Sequence, residues 1–222
     1  FDFPNTQGLP FKSSGGEMLY SKDLKREIPQ GWNIISLGNL CNIYQPKTIS
    51  GKELISDGEH LVYGSNSIIG RYNKYNHEES EIAVSCRGNC GNIFRTIPKS
   101  WITGNAMIFK LKDEKVNNEF LYQTLQWINI KSSSSGSVQG QLTRTNVSPL
   151  LTILPERNVL LQFSEIVEPI VNEKLLIQFE IQKLTELRDW LVPMLMNGQV
   201  TVKEAEERLS MAAEPSVEYK KG

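Results

Sequence analysis

From Glu156 onward the chain carries one apolar seam, and that seam limits what it can fold into. Phe163, Val167, Ile170, Lys174, Ile177, Ile181, Leu184, Arg188, Leu191 and Leu195 follow one another at alternating spacings of four and three residues. Eight of the ten are apolar, a heptad pattern that identifies a helix built to pair. Leu160, Ile166, Leu176, Leu187 and Met194 widen the stripe, so the helix is expected to face more than one neighbour. It is predicted to run from Glu156 to about Asn197, with Gly198 standing where a C-terminal cap glycine belongs. Some forty residues at 1.5 Å each make about 60 Å, more than a preceding domain of roughly 150 residues can cover. A partner helix is therefore expected. Pro169 and Pro193 lie inside this span. A proline removes an intrahelical donor, so Pro169 is expected to kink the helix or to end a first short segment.

The residues before Glu156 have another texture. The opening "FDFPNTQGLPFKSSGGEMLYS" is turn-rich and weakly patterned, and reads as a lead-in segment over residues 1–27. Trp32 to Ile35 is expected to be extended, followed by a short helix capped by Ser36. Short runs rich in β-branched and aromatic residues come next: His60 to Tyr63, Ile68 to Tyr72, Glu81 to Ser85, Asn92 to Ile97 and Asn105 to Leu111. Gly and Asn punctuate them, which predicts strands joined by tight loops. A helix is expected from Asn118 to Ile130, with Phe120, Leu121, Leu125 and Ile128 as its apolar positions. A strand is expected from Leu150 to Leu154. The expected organisation is α+β: a strand-rich mixed domain over 28–155, a long coiled-coil helix over 156–198, and a polar tail over 199–222.

Chemistry of the enzymatic kind is hard to find. His60 and His77, the two histidines, sit in no triad-like or ligand-like setting. "CRGNC" lacks zinc-knuckle spacing and a second pair, so Cys86 and Cys90 read as small buried thiols flanking a turn. Three cysteines without a framework spacing suit a reducing, cytoplasmic setting. "GSNSIIG" lacks the Lys-Ser/Thr ending of a phosphate-binding loop. Asp113 and Lys115 have nuclease-like spacing, but "KDEKVNN" reads as a turn before a helix. No metal, no cofactor and no membrane span is expected, and the chain is not expected to be an enzyme by itself.

Charge and loop composition point elsewhere. Residues 1–150 hold 16 Lys and Arg against 13 Asp and Glu, whereas residues 151–222 hold 8 against 12. Two long runs carry no carboxylate: Ile82 to Lys112 and Phe120 to Pro155. In a chain with 25 acids, such runs suit a surface kept clear for an anion. Three loops within or beside them share one chemistry. "YGSNSIIGRYN" offers Ser65, Asn66 and Arg71; "SCRGNCGN" offers Arg87 and Asn89; "SGSVQGQLTRTN" offers Ser137, Gln139, Gln141, Thr143 and Arg144. Amide and guanidinium side chains are those that read base edges, Gln or Asn on adenine and Arg on guanine. The loop from Ser132 to Asn146 is the expected base reader, with Arg95, Lys99 and Lys131 expected to hold phosphate.

The ordered set "IPQGW…LGNLCNIY", "YGSNSIIGRYN", "AVSCRGNCGNIF", "WITGNAMIF", "EFLYQTLQ", "SSGSVQGQLTRTNVSPLLTILP" and "LTELRDWLVPMLMNGQV" resembles the specificity subunit of type I restriction–modification enzymes. The resemblance covers Ile28 to Val200, one target-recognition domain and one conserved helix, and implies the second half of such a subunit. Two features depart from the family pattern: "ERNVLLQF" follows "TILP", and Pro169 lies in the helix. The resemblance implies sequence-specific binding of double-stranded DNA at one half of a bipartite site, with the helix as a ruler. It further implies methyltransferase subunits and a motor-nuclease subunit as partners, with S-adenosylmethionine and ATP chemistry belonging to those partners. The helix would pair with a second recognition half, or in a homodimer, through Phe163, Val167, Ile170, Ile177, Ile181, Leu184, Leu191 and Leu195. A DNA-recognition domain fused to an adenine methyltransferase and a non-catalytic coiled-coil adaptor are the other readings.

Overall fold

The computed structural model describes residues 1–5, 7–113, 115–134, 140–198 and 203. The strands are β1 (Met18–Ser21), β2 (Arg26–Pro29), β3 (Asn33–Ser36), β4 (Cys41–Tyr44), β5 (His60–Tyr63), β6 (Ile68–Tyr72), β7 (Ile82–Ser85), β8 (Ile93–Arg95), β9 (Trp101–Ile102), β10 (Ala106–Leu111) and β11 (Leu151–Leu154). The helices are α1 (Leu37–Leu40), α2 (Asn118–Trp127), α3 (Arg144–Val147) and α4 (Arg157–Met196). The architecture is α+β. Two compact units divide the chain, Phe1–Glu168 and Pro169–Gly222.

The first unit is organised by two sheets, ordered β4-β10-β7-β8 and β6-β5-β9. In β10 successive side chains point to opposite faces. Met107 and Phe109 enter one buried cluster with Val84, Leu121 and Leu125. Ala106 and Ile108 enter a second, with Leu61, Tyr63, Ala83 and Ile102. Burial on both faces is why "AMIF" and "IAVS" read as unbroken apolar runs rather than alternating ones. Leu121 and Leu125 are one helical turn apart on α2 and both fully buried. Asn117 caps that helix, its side chain accepting from the Glu119 N–H at 2.6 Å.

Two local features differ from the sequence expectation. Residues 18–29, largely within the expected lead-in, form the β1–β2 hairpin. Its exposed residues Leu19, Tyr20 and Glu27 and its buried residues Ser21, Ile28 and Pro29 do not alternate along the strands, so no period of two marks them. Before the hairpin, Phe1 and Phe3 pack on Trp32, and the Arg26 guanidinium lies over Phe1 and Trp127. After α1, the chain enters β4, with Cys41 and Ile43 inward and Asn42 and Tyr44 outward. Ser36 caps α1 as expected, accepting from the Asn39 N–H at 3.2 Å.

Helix α4 contains both Pro169 and Pro193 without ending. Pro169 coincides with the division between the two units. Its missing N–H leaves the carbonyl four residues earlier without its usual donor. Gly198, at φ +64, closes the helix, its N–H donating to the Leu195 carbonyl at 3.2 Å. The apolar positions Ile170, Ile177, Ile181, Leu184 and Leu195 are all exposed. Phe163, Val167 and Leu191 are half-buried. Among the described residues no helix is long and apolar enough to cross a membrane.

Candidate nucleic-acid interface

Sheet topology brings the Gly- and Asn-punctuated loops together. Both β4 and β7 run antiparallel to β10, so their C-terminal ends flank its start: Tyr44 faces Ile108 and Ser85 faces Ala106. Strand β9 runs parallel to β5, with Ile102 beside Tyr63. The chain then reaches β10 through Thr103, whose N–H donates to the Tyr63 carbonyl at 3.0 Å. The segments 45–48, 64–67, 86–91 and 103–105 therefore share one end of the two sheets. The segment 140–142 joins them, since the Leu142 N–H donates to the Cys86 carbonyl at 3.1 Å.

This end is closely fastened. Gln45 Nε2 donates to Cys86 Sγ at 3.0 Å and to the Gly104 carbonyl at 3.3 Å. The Gly104 N–H donates to Thr48 Oγ1 at 3.1 Å. A Cβ on Gly104 would lie 2.8 Å from the Pro46 carbonyl oxygen, so only glycine permits this approach. The thiols act as loop anchors, with Cys86 Sγ donating to the Asn105 carbonyl at 3.1 Å and Cys90 Sγ to the Gly140 carbonyl at 2.7 Å. Burial holds the Cys86 thiol above the usual range, and hence neutral, against the smaller opposing effects of Gln45 and Arg87. Gly91, at φ +81, lets the loop lie against Lys131.

Between the buried Cys86 and Cys90, Arg87 and Asn89 are exposed. Arg87 and Gln141 face each other in an isolated antiparallel bridge, so two loops separated by more than fifty residues present one surface. Asn66, Lys131 and Gln141 are exposed, and Ser65 is half-buried. None of the segments 45–48, 64–67, 86–91, 103–105, 130–134 and 140–142 contains a carboxylate, while Lys47, Arg87 and Lys131 are cationic. Ser137 and Gln139 lie outside the described residues. Gln45, Lys47 and Thr48, exposed in the turn after β4, were not expected here. Their signal was the acid-free "QPKT" directly following a core strand.

Most of the other expected residues are engaged elsewhere. Arg71 faces Leu61 towards the start of β5, at the opposite end, and donates to the Gly58 carbonyl at 3.1 Å. Arg95 faces Ile82 at the start of β7. Its guanidinium pairs with Glu119 and lies over the Tyr122 ring, and both ion-pair side chains are mostly buried. Lys99 approaches Glu78 at 3.9 Å from a left-handed turn position, with both side chains exposed. The expectation of phosphate-holding cations at Arg95 and Lys99 thus meets an acidic partner at each. Thr143 is half-buried and caps α3, its hydroxyl accepting from the Asn146 N–H at 3.3 Å. Arg144 opens that short helix and is exposed. Among the described residues no cluster of His, Cys, Asp and Glu could hold a metal ion.

The family model described as the type I restriction modification DNA specificity domain matches residues 29–185. The type I restriction enzyme MjaIX specificity subunit of Methanocaldococcus jannaschii is 25% identical over 219 residues, covering 88% of this chain and 50% of that protein. The type I restriction enzyme HindI specificity subunit of Haemophilus influenzae is 28% identical over 197 residues, covering 78% and 42%. The chain thus spans about half the length of the curated relatives it matches. A crystal structure of a type I restriction–modification system S subunit from M. genitalium shares the fold at a TM-score of 0.56, with 15% identity over 72% of this chain and 45% of that one. With its family model matched over most of its length, the chain belongs to the type I restriction modification DNA specificity domain family.

Proposed function

We propose that the chain is a DNA-reading half of a type I specificity subunit, recognising a sequence in double-stranded DNA through the loop end of its two sheets. One observation carries this reading: acid-free loops from separate parts of the chain converge, and Arg87 and Gln141 meet across them. Guanidinium and amide groups side by side match the bidentate chemistry of guanine and adenine edges. Ser65, Asn66, Asn89 and Gln45 extend the reading surface, and Lys47 and Lys131 supply phosphate contacts. Ser137 and Gln139 belong to the same loop by sequence. Arg71, Arg95 and Lys99 are left out, because each already holds a partner within the protein.

Helix α4 is the spacer. It pairs antiparallel with a second such helix, from another recognition half or another copy, through Phe163, Val167, Ile170, Ile177, Ile181, Leu184, Leu191 and Leu195. Exposure of the central seam residues supports this, since a large apolar stripe on a water-facing helix calls for a cover. Each recognition domain then reads one half of a bipartite site at a separation fixed by the paired helices. Methyltransferase subunits dock on the assembly and a motor-nuclease subunit joins for cleavage. Methyl transfer and ATP-driven cleavage are those partners' chemistry; this chain is not itself an enzyme and works in the cytoplasm where the DNA is.

The test is the host's methylation pattern with and without this gene. Loss of one bipartite methylated motif on deletion, restored by the gene, is the expected result. An unchanged set of motifs in a host whose methyltransferase subunits are active would contradict the proposal.

A further inference from the structure

A second cationic feature lies outside the loop end. Between α1 with the first half of β4 on one side and α3 on the other is a polar cleft of about 460 Å³. Lys112 and Arg144 line it together with Asn39, Asn42, Thr145 and Ser148, and no carboxylate is among its lining residues. Resting on the DNA-binding reading above, we infer that this cleft is a docking site for a backbone phosphate of the duplex, and that Arg144 holds phosphate rather than reading a base.

The cleft is built before any ligand arrives. Its walls are joined by backbone hydrogen bonds, Gly38 N–H to the Ser148 carbonyl at 2.9 Å and Leu37 N–H to the Leu150 carbonyl at 2.8 Å. A Cβ on Gly38 would come within 3.0 Å of the Ser148 Cβ, so the two walls are in close contact there. Lys112 Nζ donates to the Gly38 carbonyl at 2.6 Å, which fixes the ammonium against one wall. An ammonium has three donors, so two remain for an anion. Arg144 adds a guanidinium, whose planar fork suits two phosphate oxygens at once. The neutral hydroxyl and amide groups of Asn39, Asn42, Thr145 and Ser148 supply further donors without charge.

Two neighbouring cations with no acid between them repel each other, an arrangement that an anion relieves. The sulfur in the cleft does not supply one. Burial pushes the Cys41 thiol up to about 12, outweighing the opposing effect of the Lys112 ammonium, so it stays neutral at physiological pH.

Distance connects the cleft with the loop end. Gln141 and Arg144 are three residues apart, so their Cα atoms lie within about 11 Å. That is the length of roughly three base-pair steps at 3.4 Å along a strand. Gln141 and Arg144 are therefore close enough for one duplex to contact both, while Lys112 and Asn42 lie towards the other end of β10 and β4 and extend the contact along the duplex. A phosphate contact there sets register without sequence information, which separates the task of Arg144 from that of Arg87 and Gln141.

The experiment uses the full-length subunit assembled with its methyltransferase subunits. Binding is measured across a salt series, to a short duplex carrying the host's methylated motif and to a random-sequence duplex. Arg144→Gln and Lys112→Gln are each expected to lower the slope of log affinity against log salt by about one and to weaken both duplexes by the same factor. Arg144→Lys, which keeps the charge, is expected to keep the slope. Wild-type slope and affinity in both Gln variants would overturn the cleft while leaving DNA binding intact. Loss of motif preference without a change of slope would also overturn it, assigning Arg144 to a base. Failure of the wild-type assembly to bind either duplex would instead remove the DNA-binding reading. Because Arg144 is exposed and only opens a four-residue helix, its variants test the cleft even if Lys112→Gln destabilises the wall at Gly38.

Discussion

Arg95 shows how a single side chain can carry the signal of a binding surface and serve the fold instead. It lies in a run from Ile82 to Lys112 that holds five cations and no acid, and its partner Glu119 is 24 residues away in sequence, beyond any local pattern. Both side chains are less than one-fifth exposed, so deleting the arginine leaves a carboxylate that is mostly out of water with, among the described residues, only the Gln123 side-chain amide donating to it. Arg95→Ala is expected to lower stability by about 1–3 kcal/mol, below the range for a fully buried pair. Binding of random duplex is expected to stay at wild-type strength. Urea melts and a binding isotherm on the same sample check both halves of this expectation. His77 makes a second case. It is 8% exposed, hydrogen-bonded to Tyr44 at 3.0 Å and to Asn76 at 2.6 Å. Burial, followed by the Lys110 charge, holds its pKa below the ordinary 6.5. The unfolded chain therefore takes up this proton first as pH falls. Stability contributed by neutral His77 is complete above about pH 6.5 and declines as pH drops through the lower folded value. Thermal melts from pH 7.5 to 5 should show a decline in the wild type that His77→Gln reduces; an equal decline in both would assign the loss to other groups.

At the level of elements, legibility followed the density of apolar and β-branched residues in the sequence. Strands β5, β6, β7 and β10 were marked by dense apolar or β-branched runs, and α2 by Leu121 and Leu125 on one face. The β1–β2 hairpin was not marked, because Leu19 and Tyr20 are exposed and leave no alternation to detect. Strand β4 was hidden for another reason: a four-residue helix hands directly to a four-residue strand in "LGNLCNIY", each too short for one periodicity to be told from the other. The site divided in the same way. Loop composition pointed to Asn66, Arg87 and Gln141, whereas their convergence, the engagement of Arg71 and Arg95, and the addition of Gln45 depend on strand pairings between distant segments. Helix α4 was legible nearly to the residue, because a heptad seam and a terminal glycine are both local. Of the two cations in its seam, Arg188 bonds Asp189 on the same helix at 2.8 and 2.6 Å, both exposed. Ile177→Asp together with Leu184→Asp is expected to convert an associating chain into a monomer, read as a halved mass in sedimentation. An unchanged mass would show that the seam is not the contact, and a monomeric wild type would show that this chain alone does not pair.

For the molecule as a whole, the claim at stake is that one end of two sheets reads DNA sequence, and that the cations facing other ways do not. Selection from a random duplex pool by the assembled methyltransferase, followed by sequencing of the bound fraction, measures this most directly. Three assemblies are compared: wild type, Arg87→Ala with Gln141→Ala, and Lys99→Ala. A good bidentate base contact discriminates by roughly 1–3 kcal/mol. The wild type is expected to enrich a bipartite motif, and the Arg87 and Gln141 variant to lose discrimination, about five- to hundred-fold or more per contact, at one or two positions within one half-site only. Lys99→Ala is expected to return the wild-type motif. An unaltered motif from the Arg87 and Gln141 variant, at equal binding strength, would contradict the account.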